Sequence, residues 1–251
     1  SPVEKTALAE AEIEYEDHTS VTIYARFPVI KAAHPSLDGA SIIIWTTTPW
    51  TMPGNRAVAY GDDISYQVTE VLGTGEGALC AVGDVIVIAD DLAAGVMTAI
   101  GASDSKVRAQ IMGRDIAGSI AAHPMAGHGY DFDVPLLAGS HVTTEQGTGF
   151  VHIAPGHGVE DYELAHLKHG IAVPDTVGED GVILPHLPIF GGMHVLRDNA
   201  KIAEIMAEHK SVIGIGKLVH SYPHSWRSKA PVVYRNTAQW FVSMESHGLR
   251  D

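Results

Sequence analysis

"ASIIIWTTTPWTMPGN", residues 40–55, runs three isoleucines into three consecutive threonines and then pins the chain with two prolines. Ser41 to Ile44 reads as a buried strand, because a short apolar run of β-branched residues bounded by turn formers suits that position. Pro49 disfavours a helical conformation at Thr48, and Pro53 does the same at Met52, so the chain is expected to stay extended or turn-like through the threonines. Side chains alternate in such a segment, which puts Thr46 and Thr48 on one side and Thr47 on the other. Threonine is small, stiff at its first torsion, and both donates and accepts hydrogen bonds, so a cluster at a strand end suits fixing a polar ligand or a water. Taken alone, the stretch is equally a β-branched strand followed by a turn.

Further β-type runs surround it: "TSVTIYARFPVI", "RAVAYG", "SYQVTEVLG", "DVIVIA", "KVRAQIMG", "TGFVHIAP" and "APVVYRN", separated by Gly, Asp and Pro. Helices are expected in "DLAAGVMTAIG", in "VEDYELAHLKHGI" and in "RDNAKIAEIMAEHK", where Ile202, Ile205 and Met206 recur at helical spacing. Strands and helices do not alternate regularly, so a doubly wound parallel sheet is disfavoured. The expected class is α+β, a strongly bent sheet or β-barrel core with peripheral helices. No repeat and no low-complexity linker divides the chain, which reads as one domain: a core over 31–214, with 1–30 and 215–251 as peripheral connecting strands.

The 251 residues, 45% of them hydrophobic, suffice for a substantial core. Asp90 and Asp91 interrupt the most apolar stretch, so no run approaches the roughly 18 residues of a membrane span, and no membrane partner is expected. The start lacks the basic and apolar parts of a secretory signal. One cysteine, Cys80, allows no internal disulfide, which points to a reducing cytoplasm. A formal charge of −14 excludes a wide nucleic-acid-gripping surface, so any polynucleotide contact must be local. The 15 histidines follow no metal-ligand spacing. "GTGEG" at 73–77 lacks a following Lys-Ser or Lys-Thr and reads as a hairpin turn.

The second chemically suggestive stretch is "GTGFVHIAPGHGVEDYELAHLKHG", Gly147 to Gly170. Phe150, His152 and Ala154 share one strand face, "PGHG" makes a tight loop, and a helix begins near Val159 with Asp161 in its first turn. A helix start favours an ionised carboxylate there, which makes Asp161 a suitable partner for an ammonium group. Asp161 is equally an ordinary first-turn acid, and His152 equally a core histidine. Gly147, Gly149, Gly156 and Gly158 permit close approach of backbone to a ligand or serve turns alone. A metal site from His152, His157 and Asp161 matches no regular ligand spacing, so no metal is expected. No G-x-S-x-G elbow is present.

Together, "WTTTPWTMPGNRAVAY" and "GTGFVHIAPGHGVEDY" resemble the two signature segments of the editing (connective peptide) domain of bacterial-type isoleucyl-tRNA synthetases. "TALAEAEIEY", "FGGMHVLRDNAKI" and "HSYPHSWRSKAPVVYRNTAQWFVSM" resemble flanking segments of the same enzymes in the same order. The synthetic motifs "HIGH" and "KMSKS" are lacking, which implies hydrolysis and not ligation, with the remainder of a synthetase as partner. Many relatives carry paired cysteines where this chain has Ser1 and Glu4, and Ser225 and Ser228, so no zinc is expected there.

The resemblance implies a second sieve. One methylene is worth only about 1–3 kcal/mol in a pocket, isoleucine against valine being the standard worked case of that limit. The substrate implied is valine esterified to the 3′-terminal adenosine of tRNA for isoleucine, with isoleucine excluded by size and no cofactor required. Asp161 would hold the α-ammonium, and His152 would shape the pocket and block isoleucine. Thr46, Thr47 and Thr48 would orient the ester and the attacking water. Thr51 and Asn55 would lie near the adenosine or the amino acid, and Gly156 and His157 would complete the binding set. The free ribose hydroxyl of the tRNA is expected to assist, because a neutral threonine is a weak base. The competing readings are a valyl-type editing domain, which would release threonine, a non-catalytic module docking the acceptor end, and a metal hydrolase using His152 and His157.

Overall fold

The computed structural model describes residues 1–237, 240 and 242–245. Ala238, Gln239 and Phe241 of the 220–244 segment, and residues 246–251, lie outside the described residues. One mixed sheet organises the rest. Its strands are β1 (Ile13–Lys31), β2 (Ser41–Thr46), β3 (Ala57–Tyr60), β4 (Ser65–Thr74), β5 (Val85–Ala89), β6 (Ala102–Met112), β7 (Ile120–Ala122), β8 (Asp133–Ala138), β9 (Phe150–Ile153) and β10 (Val212–Ser225). Three helices are peripheral: α1 (Ala93–Ala99), α2 (Val159–Tyr162) and α3 (Asn199–Glu208). The α+β class with a bent sheet is therefore the observed architecture.

The sheet order is β6-β4-β5-β2-β1-β7-β8-β3-β9, with β10 pairing off this path onto β1. Pairing is antiparallel except between β2 and β5 and between β3 and β8. β1 produces the bend by changing partners along its length: residues 13–25 pair with β10, 23–28 with β2, and 29–31 with β7. Ile23, Ala25 and Phe27 on β1 are wholly buried in the main core with Ile42, Ile44, Tyr66 and Phe150. The second half of β1 thus belongs to the core sheet, and its first half forms a ribbon with β10.

Three differences from the expected elements have local causes. "APVVYRN" is not a strand beyond an isolated bridge from Pro231 to His224. Its backbone donors go elsewhere: Val232 N–H to Pro223 O at 3.0 Å and Asn236 N–H to Gly156 O at 2.8 Å. Residues 49–54 form a short 3₁₀ helix instead of staying extended, with Pro49 at its first position and Thr48 before it in a non-helical conformation. The helix beyond "PGHG" begins at Val159 as expected, but after four residues it widens into π turns over Glu163–Lys168. β7 and β8 were not anticipated, and β10 was expected only as part of a connecting strand over 215–251. "GTGEG" spans the end of β4, at Gly73 and Thr74, and the start of its connection to antiparallel β5, with a turn closed by Ala78 N–H to Gly75 O.

Gly149 shows why glycine is needed next to β9. Its φ is +79°, and a Cβ there would lie 2.4 Å from the Ala89 Cβ. This close approach seats the start of β9 against β5, and β9 itself packs on β2. Residues separated by a hundred positions are thereby brought together at the strand ends.

Candidate active site

The threonines sit where β2 ends and the 3₁₀ turn begins. Thr48 N–H donates to Thr46 Oγ1 at 3.1 Å, and the two hydroxyls are 3.2 Å apart. Thr51 Oγ1 donates to Thr48 O at 2.8 Å and lies 3.4 Å from Thr48 Oγ1. Hydroxyls tied to each other and to backbone are held before any ligand arrives. The turn is also anchored from behind. Trp50 and Met52 are buried in the core that α3 supplies with Ile202 and Met206. His123 Nε2 donates to Met52 O at 2.9 Å, while its ring stacks on Tyr130 at 4.8 Å. Burial pulls the His123 pKa down to about 4, so it serves as a neutral donor.

His152, on β9, meets this turn directly. Its Nε2 lies 2.8 Å from Thr51 Oγ1, and its Nδ1 lies 2.8 Å from Asn55 Nδ2. Asn55 Nδ2 also donates to Ala57 O at 2.8 Å, which fixes it as a donor. His152 Nδ1 must then accept, and Nε2 carries the proton that it donates to Thr51; this tautomer follows from the bonding pattern. Burial pulls the pKa down to about 3, with His123 and His157 adding to the effect. His152 is therefore a neutral, oriented wall and not a proton acceptor at neutral pH.

Asp161 Oδ2 accepts Ala154 N–H at 2.8 Å, folding the helix start back onto the end of β9. The expectation that a helix start would favour its ionised form does not hold. Burial raises the Asp161 pKa from 3.8 to about 6, with Ala154 N–H opposing and Glu160 adding to the rise. A helix of four residues supplies little dipole to offset desolvation. Gly158 makes room for the carboxylate, since a Cβ on it would lie 3.0 Å from Asp161 Cγ.

These groups enclose a cavity of about 150 Å³ lined by Trp45, Thr46, Thr48, Thr51, Val151, His152, Ala154, His157 and Asp161. The strand-end threonines and the helix-start acid thus share one small space. Thr47 is not on its lining. Asn55 is fully buried behind His152, which it orients without lining the cavity. Gly156 is also off the lining; its carbonyl accepts Asn236 N–H. His157 lines the cavity with both nitrogens engaged outward: Nδ1 lies 2.9 Å from Tyr234 O and Nε2 2.6 Å from Thr176 Oγ1. Burial lowers its pKa, and Arg235 adds to this. Trp45, Val151, His123, Thr176 and the spacing role of Gly158 were not singled out in the sequence.

The donor sets do not suit a metal. His152 and His157 spend both ring nitrogens on protein partners, and among the described residues no group of three or more His, Cys, Asp or Glu is placed to hold an ion. Ser1, Glu4, Ser225 and Ser228 converge in space, but with oxygen chemistry. Glu4 Oε1 accepts Ser225 Oγ–H at 2.7 Å and Ser228 N–H at 3.1 Å, and Glu4 N–H donates to Ser1 Oγ at 3.2 Å. Hydrogen bonds from Ser1 and Ser225 hold the Glu4 carboxyl down to about 2. Hydroxyls and one carboxylate are a poor match to the thiolate and imidazole ligands of structural zinc.

Among solved structures, the CP1 domain of the leucyl-tRNA synthetase GlLeuRS overlays 78% of this chain and 98% of its own, with a TM-score of 0.60 at 11% identity. The chain shares the fold of that CP1 domain. No family model matches the chain. Curated relatives narrow the assignment. Isoleucine–tRNA ligase of Pelagibacter ubique is 48% identical over 250 residues, covering 100% of this chain and 27% of the relative. That of Caulobacter vibrioides is 47% identical over 264 residues, covering 98% of this chain and 27% of the relative. The chain belongs to the bacterial isoleucine–tRNA ligase family and spans about 27% of the length of the members it matches. No described helix is long and apolar enough to cross a membrane.

Proposed function

We propose that this protein hydrolyses the ester of valine misplaced on the 3′-terminal adenosine of tRNA for isoleucine, as part of a cytoplasmic synthetase. The observation that carries the reading is the single cavity joining the fixed threonines, the neutral His152 and the Asp161 carboxylate. Asp161 receives the α-ammonium, which restores to its carboxylate the stabilisation that burial removes. The aliphatic side chain lies against His152 and Val151. A further methylene has to displace a ring held at both nitrogens, and overpacking of that kind costs about 1–3 kcal/mol. Isoleucine is thus rejected by shape and not by weaker attraction.

The Thr46 and Thr48 hydroxyls orient the ester carbonyl and a water, lowering the ordering left to be done at reaction. The water oxygen bonds to the carbonyl carbon, the ester C–O bond breaks, and the proton passes to the leaving ribose oxygen. Neither histidine is a suitable base, because His152 Nδ1 is already an acceptor for Asn55 and His157 Nε2 for Thr176. The adjacent ribose hydroxyl of the tRNA is the remaining proton carrier. Release of valine and isoleucine from charged tRNA for isoleucine, and of threonine from charged tRNA for valine, tests the proposal. Valine alone should be released quickly, and His152→Ala should begin to release isoleucine. Faster release of threonine from tRNA for valine would instead make this a valyl-type site.

A further inference from the structure

A second cavity, of about 280 Å³, adjoins the active-site cavity and shares Trp45 with it. Trp45 and Tyr24 are cross-strand partners on β2 and β1, and Tyr24 is in turn opposite Gly214 on β10. A Cβ on Gly214 would lie 3.1 Å from the Tyr24 ring, so glycine at this position lets the ring lie across the strand. Two aromatic residues on neighbouring strands thereby line the same cavity. The remaining wall includes the Gln146 side chain, the Gly147 backbone at φ +85°, and Lys217 from β10.

The charge of this wall is unlike that of the protein. The chain carries 30 Asp and Glu against 16 Lys and Arg, yet no carboxylate lines this cavity and one lysine does. Lys217 is exposed and makes no ion pair among the described residues. Aromatic faces with a nearby cation and an amide edge are the elements that hold single-stranded nucleotides. Neither cavity alone reaches the 300–1,000 Å³ of a typical small-molecule site, which fits two separate small moieties.

We infer that this outer cavity takes the nucleotide immediately 5′ of the terminal adenosine, its base against Trp45 and Tyr24 and its phosphate at Lys217. The inference rests on the proposed function and adds where the tRNA strand runs as it leaves the active site. It also accounts for how so acidic a protein can receive a polyanion: locally, at a wall whose lining carries a lysine and no carboxylate.

The test compares valyl-tRNA with valyl-adenosine, which lacks the preceding nucleotides, in the parent protein and in Lys217→Gln. The preference of the parent for valyl-tRNA, measured as kcat/KM, should fall about three- to tenfold in the variant. The dependence of log KM on log salt should also flatten by about 0.7, the increment for one single-strand phosphate contact. An unchanged preference, or an equal loss on both substrates, overturns the subsite. Failure of the parent to hydrolyse either ester is a different result, which removes the functional reading and the subsite with it.

Discussion

Replacing Asp161 by asparagine should make the protein more stable while disabling it. The carboxylate accepts Ala154 N–H at 2.8 Å, and an amide oxygen can accept the same bond. What asparagine removes is the cost of a buried charge. The rise of the Asp161 pKa from 3.8 to about 6 is about two units, or about 3 kcal/mol at 1.36 kcal/mol per unit, and partial solvent access brings this to about 1–3 kcal/mol. The sign follows from linkage. A carboxyl with a raised folded-state pKa contributes stability that is fully present below pH 3.8 and is lost as pH rises through about 6. Urea unfolding of the parent and Asp161→Asn at pH 4 and pH 8 measures the difference directly, and groups far from the site cancel between the two proteins. The variant should gain about 1–3 kcal/mol at pH 8 and little at pH 4. A gain equal at both pH values, or none at pH 8, would refute the claim that burial of this charge is an energetic cost of function.

Two further outcomes follow from the same geometry. Gly158→Ala should leave the fold intact, since φ is −151° there, but its Cβ meets Asp161 Cγ at 3.0 Å. Displacing the carboxylate by that overpacking should lower kcat/KM about 5- to 100-fold with little change in Tm. Glu4→Ala should lower Tm and speed amide exchange at Ser228, while zinc or a chelator leaves the parent unaffected. The depressed Glu4 pKa makes that loss complete above about pH 4.5 and smaller as pH falls towards about 2.

The two active-site stretches were legible because their signals are local. Prolines fix the threonine turn, and the Pro-Gly loop marks the start of the helix that carries Asp161. The partners of those stretches were not legible. His123 reaches Met52 across 71 positions, and Thr176 reaches His157 only because residues 172–178 fold back under the loop. β8 contains Pro135 and β10 contains Gly214, Gly216 and Pro223, which weaken a strand pattern that pairing then overrides. "APVVYRN" has the composition of a strand, but its amides are taken by Pro223 and Gly156. The protonation of Asp161 was misjudged because spacing places it at a helix start but does not show that β9 and the threonine turn cover it. His152 lay on the right face of its strand; its tautomer required Asn55, which sequence alone does not bring to it.

The central claim is that Asp161 anchors an α-ammonium inside a pocket closed by fixed hydroxyls. Its most direct test measures hydrolysis of valyl-tRNA against the same tRNA carrying 2-hydroxyisovalerate, in which a hydroxyl replaces the amine. The parent should prefer the amine about 10²–10⁴-fold, the scale of a buried charge pair worth about 3–5 kcal/mol, and Asp161→Asn should lose that preference while hydrolysing the hydroxy ester as the parent does. An Asp161→Asn protein that still prefers the amine, or that loses the hydroxy ester in equal measure, would contradict the account; the second result would make Asp161 a base acting on water.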